Sequence, residues 1–96
     1  MQTIDTLSML HRENEKKMDV YSGRTKVLML RMLDYLERNP IIEIKRTAED
    51  MGVAFNTVAR AVERLMEQGV LVQSEKSGRP RTFAYEAYLG VLRRNT

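Results

Sequence analysis

The 96-residue chain sets 16 Lys and Arg against 13 Asp and Glu, for a net charge of +3, and is 43% hydrophobic. That length holds a single core and leaves no space for a second, catalytic domain. With no Cys and a single His, thiolate chemistry, disulfides and a protein zinc site are excluded, and no apolar run approaches a membrane span. The opening residues lack the basic-then-apolar order of a signal peptide, so a cytoplasmic protein without a cofactor is expected.

Residues 4–20 predict a helix with Ile4, Leu7, His11, Asn14 and Met18 on one stripe. The stripe is half polar, so this helix requires a neighbouring element or a second copy of the chain. Ser22-Gly23 breaks it, and Ser22 or Thr25 is a candidate cap for the next helix. From about Arg24 to Asn39, Met29, Met32, Leu33 and Leu36 fall at i, i+3, i+4 and i+7, the spacing of a core helix. Pro40 ends it, and Ile41, Ile42 and Ile44 suit a brief strand.

Ile44, Thr47, Ala48 and Met51 then space a helix of about two turns, with Gly52 placed for a left-handed cap. After Gly52-Val53-Ala54 comes a second stripe, Val58, Ala61, Val62 and Leu65, closed by Gly69. Two short apolar-faced helices joined by a tight glycine turn predict a helix-turn-helix. Val70–Val72 and Thr82–Tyr85 are candidate strands of a hairpin whose bend holds Ser77-Gly78 and Pro80. Tyr88, Leu89, Val91 and Leu92 suggest a closing helical turn. The expected fold is therefore mainly α with a small β-hairpin: a winged helix-turn-helix over residues 23–96, preceded by a linker or dimerisation helix over residues 1–22.

On such a scaffold the second helix of the pair can enter a major groove, with Phe55, Asn56 and Thr57 in its first turn and Arg60 and Arg64 beyond. Asn pairs with adenine and Arg with guanine, while a threonine hydroxyl suits a phosphate oxygen. Lys76, Arg79 and Arg81 in the hairpin loop can neutralise phosphates or reach a minor groove. A plainer reading stands beside this one. Arg60 and Arg64 can pair with Glu63 and Glu67 on a wet face, and Phe55 can pack on the hairpin or anchor a protein partner. His11 has no Ser, Cys or carboxylate at a spacing that suggests catalysis, and the chain is expected not to be an enzyme.

The run Ala48-Glu49-Asp50-Met51-Gly52-Val53, then Phe55, Thr57, Arg60-Ala61-Val62, Arg64-Leu65 and Gly69-Val70-Leu71, resembles the C-terminal winged-helix domain of many Fic (filamentation induced by cAMP) proteins. So do Gly78-Arg79, Arg81, Phe83, Tyr85, Glu86, Tyr88-Leu89 and Val91-Leu92. The resemblance implies an accessory, regulatory domain that binds duplex DNA, downstream of a domain that transfers AMP to protein hydroxyls. Residues 1–22 would end the helix that joins the two. The alternative is a module that positions or restrains the parent enzyme, or dimerises, through Phe55 and the N-terminal helix. The His-Pro-Phe and Gly-Asn-Gly-Arg signatures of the catalytic domain are absent from this sequence. Ala54 stands where the family has a capping Ser or Thr, Thr47 where it has a core leucine, and Asn56 and Ala59 also depart, so base preference does not carry over.

Overall fold

The strongest apolar repeat in the sequence builds the central helix. In the computed structural model, which describes residues 3–74 and 81–94, α2 (Gly23–Arg38) buries Met29, Met32, Leu33 and Leu36 completely. α1 (Thr3–Lys17) and a 3₁₀ turn (Met18–Val20) precede it. β1 (Ile41–Ile42), α3 (Ile44–Met51) and α4 (Phe55–Glu67) come next. β2 (Val72–Gln73), β3 (Phe83–Ala84) and α5 (Glu86–Arg94) complete the order.

Ser22 holds the extended geometry of an N-cap, yet its side chain makes no capping bond, and Thr25 already lies inside α2. Of the two candidates, Ser22 is thus the N-cap of α2, through its carbonyl, which the Lys26 N–H reaches at 3.3 Å, and not through its side chain.

The two helices of the predicted pair form on their predicted stripes. α3 buries Thr47 and Ala48, with Ile44 and Met51 packed at the core margin, and α4 buries Val58, Ala61, Val62 and Leu65. Truncating a side chain such as Leu65 in this interior costs about 2–5 kcal/mol. Gly52 adopts φ 68° and ψ 35°, a left-handed cap, and the Val53 N–H reaches back to the Ala48 carbonyl at 3.1 Å. This 6→1 bond closes α3 and turns the chain into α4.

A similar closure ends α4 and shifts the first wing strand. The N–H groups of Val70 and Leu71 both reach the Leu65 carbonyl, at 2.8 and 3.2 Å, with Gly69 at φ 75°. Donors already spent on the helix end cannot join a sheet ladder. Strand β2 therefore starts at Val72 rather than at Val70, while Val70 and Leu71 are buried.

The sheet has three strands in the order β1-β3-β2, both pairings antiparallel. Ile41 and Val72 flank Ala84, and Ile42 and Gln73 flank Phe83. The isoleucine strand thus joins the hairpin as a third member, with Tyr85 N–H donating to the Pro40 carbonyl at 2.7 Å. Ile44 leaves the strand and opens α3.

The C-terminal segment is a nine-residue helix instead of a closing turn. α1 packs along it, and Asn14, 3% exposed, donates to the Tyr85 hydroxyl at 2.6 Å. The neighbour required by the polar stripe of α1 is therefore within the same chain. Lys17 and Gln68 add a reciprocal pair of side-chain-to-carbonyl bonds at 3.3 and 3.2 Å, tying the end of α1 to the end of α4.

Candidate nucleic-acid interface

α4 is held in place from behind. The Tyr35 hydroxyl of α2 donates to Asp50 Oδ2 at 2.6 Å, Arg46 Nε donates to Asp50 Oδ1 at 3.2 Å, and Arg31 Nη2 donates to the Met51 carbonyl at 3.1 Å. The Tyr35 hydroxyl holds the Asp50 carboxyl below its ordinary value, with Arg46 acting in the same direction. Burial raises the Tyr35 phenol, and the bond to Asp50 adds to that. The bonds from Tyr35 and Arg31 fix α3 on α2, and α3 carries the turn that aims α4.

With Val58, Ala61, Val62 and Leu65 turned inward, α4 exposes Asn56, Thr57, Arg60, Glu63 and Glu67. Its N-cap is Ala54, in extended geometry and without a side-chain acceptor; only the Ala54 carbonyl is used, by the N–H groups of Thr57 and Val58 at 3.1 and 3.2 Å.

The residues singled out from the sequence fall on two flanks of this helix. On the sheet side a groove of about 410 Å³ brings Phe55 together with Arg81, Lys45 and Glu63, over Ile44, Ala59, Met66 and Phe83. Phe55 is 54% exposed at its margin, so it is not packed away under the hairpin. On the α2 side a more open groove of about 760 Å³ gathers Thr57, Arg60 and Arg64 with Arg24 and Arg31. Asn56 lines neither groove and faces solvent from the first turn. Lys76 and Arg79, with Ser77, Gly78 and Pro80 of the expected bend, lie outside the described residues.

Arg64 behaves differently from the plainer expectation. Its guanidinium lies over the Tyr21 ring, 5.8 Å from the centroid, and among the described residues neither Arg60 nor Arg64 forms an ion pair with Glu63 or Glu67. Arg24, Arg31 and Lys45 did not emerge from the sequence, because they join the grooves beside α4 only through the packing of α2 and α3 around that helix. The sole local signal was that none of them belongs to an apolar stripe.

Residues 28–72 match the family model of winged helix-turn-helix DNA-binding domains. The fold, a helix-turn-helix followed by a small antiparallel sheet, is that of a winged helix-turn-helix. The match runs from within α2 to the first residue of β2 and leaves α1, β3 and α5 outside. No curated protein and no solved structure matches the chain significantly. No helix among the described residues is long and apolar enough to cross a membrane.

Away from α4, the winged helix-turn-helix carries a polar cluster that residue counting did not reveal. His11 Nδ1 lies 2.7 Å from Glu37 Oε2, and Nε2 lies 3.4 Å from Glu15 Oε2. Hydrogen bonding to Glu37 raises the imidazole pKa above its ordinary value, with the charges of Glu37 and Glu15 adding to the effect against some desolvation. His11, Asp34 and Glu37 bring donor atoms within 4.8 Å of one another, the group of described side chains that most resembles a cation's ligands. The short His11–Glu37 bond already occupies two of these three groups.

Proposed function

We propose that this domain binds duplex DNA, with α4 in the major groove and the wing on the flanking backbone. The observation that carries the reading is the face of α4. It presents Asn56, Thr57 and Arg60 to solvent within its first two turns, with Arg81 on one flank and further arginines on the other. Asn56 and Arg60 are the base-reading candidates, and Thr57 suits a phosphate. Phe55 supplies an apolar contact at the groove margin. Glu63 and Glu67 confine close approach to the N-terminal half of the helix, because their charge repels phosphate. Arg64 acts through its charge, steered by Tyr21 toward the α2 side.

Fluorescence titration of a mixed-sequence duplex at two salt concentrations tests the reading. Affinity should fall steeply with salt, and alanine at Lys76, Arg79 and Arg81 together should flatten that dependence by about one unit for each phosphate no longer neutralised. Changes at Asn56 or Arg60 should alter discrimination among sequences instead. A chain that binds no duplex at low salt would end the proposal.

A finer reading makes this the accessory domain of a Fic-like AMP-transferring protein. Its support is the run of shared residues in the sequence, chiefly Arg81, Phe83, Tyr85 and Tyr88-Leu89, since the family match concerns the helix-turn-helix alone. The reading frame upstream of Met1 tests it directly. The alternative of a dimerisation or enzyme-restraining module has the exposed Phe55 in its favour. Against it, α1 and the 3₁₀ turn after it already place Asn14 and Met18 in this chain's own interior.

A further inference from the structure

The groove between the start of α2 and the flank of α4 is lined by Arg24, Arg31, Arg60 and Arg64, and by no carboxylate among the described residues. Four like charges around one depression repel one another, and a fold gains nothing from the arrangement unless an anion shares it. Two of the four have structural work: Arg31 donates to the Met51 carbonyl, and Arg64 stacks over Tyr21. Arg24 and Arg60 are exposed and make no hydrogen bond or ion pair among the described residues. Arg24 also sits in the first turn of α2, a turn without any acidic residue, where the positive helix end disfavours a cation. Its neighbour Lys26 is paired with Asp19 at 3.1 Å, but Arg24 is not.

We infer that this groove holds a backbone phosphate of the DNA strand bordering α4 on the side away from the wing, gripped by Arg24 and Arg60 with Arg31 and Arg64 reinforcing the charge. The inference rests on the DNA-binding reading and deepens it. Thr57 and Arg60 decide the source of the phosphate, because they belong both to the groove and to the exposed face of α4. A strand that passes that face enters the groove. Arg81 on the opposite flank then meets the other strand, so α4 is clamped from both sides.

The test is the salt dependence of duplex binding for the wild-type chain, Arg24→Gln, the double variant Arg24→Gln/Arg31→Gln, and Arg38→Gln as a control of equal charge at the far end of α2. Arg24→Gln should lower the salt slope by about one unit and weaken binding by the same factor on every sequence. The double variant should go further, and Arg38→Gln should match wild type. Because Arg31 also supports α3, the unfolding midpoint of each variant is measured alongside, and Arg24→Gln alone is sufficient to decide. Wild-type slopes in Arg24→Gln, with a reduced slope in Arg81→Ala, would overturn the groove while leaving DNA binding by the wing intact. Saturable binding of inorganic phosphate that is lost in Arg24→Gln without change in the duplex slope would overturn it too, assigning the groove to a free anion. Failure of the wild-type chain to bind any duplex would remove both proposals together.

Discussion

The side-chain amide of Asn14 donates to the hydroxyl of Tyr85 at 2.6 Å across 71 positions of sequence, with both residues out of water. This bond connects α1 to the junction between the sheet and α5. Burial pushes the Tyr85 phenol up to about 12, although the bond from Asn14 opposes that shift. The ring also stacks on Tyr88 at 5.3 Å. A polar pair in this position satisfies both partners, and removing one leaves the other stranded.

Asn14→Ala should therefore destabilise the fold by about 1–3 kcal/mol, the cost of an unsatisfied buried group. Tyr85→Phe should also destabilise by stranding the amide. The double variant Asn14→Ala/Tyr85→Phe should lose clearly less than the two single losses summed, because neither polar group remains. Urea unfolding of the four proteins checks this, and additive losses would show that the bond contributes nothing.

His11 gives the stability a pH dependence of defined sign. Its folded pKa is raised above the ordinary value of 6.5 by the bond to Glu37. The folded state thus holds the proton more tightly than the unfolded chain. The stabilisation is fully present below about pH 6.5 and is lost as pH rises through the higher folded value. Unfolding midpoints should decline from pH 6 to pH 8 in wild type more than in His11→Gln, and an NMR titration of the imidazole should give a value above 6.5. Identical pH profiles for the two proteins would remove the cluster from the stability of the α1–α2 contact.

Thr47 is fully buried in α3, and its hydroxyl has no hydrogen-bond partner, although it lies close enough to the Tyr35 hydroxyl to oppose the rise of that phenol. Thr47→Val keeps the shape and removes the stranded oxygen. The variant should be more stable by about 1 kcal/mol, read as a higher thermal midpoint. A loss would mean that the hydroxyl supports Tyr35 after all.

Ala54 caps α4 without a side-chain acceptor, so Ala54→Asp should stabilise the helix by about 1 kcal/mol. The same carboxylate stands beside Phe55, Asn56 and Thr57, and it should weaken duplex binding while the thermal midpoint rises. Opposite signs in the two measurements separate the interface from the fold. If both improve, α4 does not approach phosphate.

Helices were legible wherever burial followed a local period. Met29, Met32, Leu33 and Leu36, then Val58, Ala61, Val62 and Leu65, are buried as their spacing predicts. The strands were less so. Val70 and Leu71 look like strand in any local window, yet the Leu65 carbonyl takes their donors. The candidate interface was partly legible. Phe55, Asn56, Thr57 and Arg60 could be placed on an exposed first turn by counting from the apolar stripe, whereas Arg24 and Arg31 lie 36 and 29 positions before Arg60 in the sequence.

What the sequence determined by itself is the helices α2, α3 and α4, the left-handed closure at Gly52, the end of α4 at Gly69, and the helix-turn-helix they define. Each depends on residues within a few positions of one another. The tertiary structure decided that Ile41 and Ile42 pair with the second wing strand, that α1 docks on α5 through Asn14 and Tyr85, and that α4 separates an arginine-lined groove on the α2 side from a groove of mixed charge on the sheet side. Those outcomes depend on hydrogen-bond donors and charges that meet only after the chain has closed, and no local period records them.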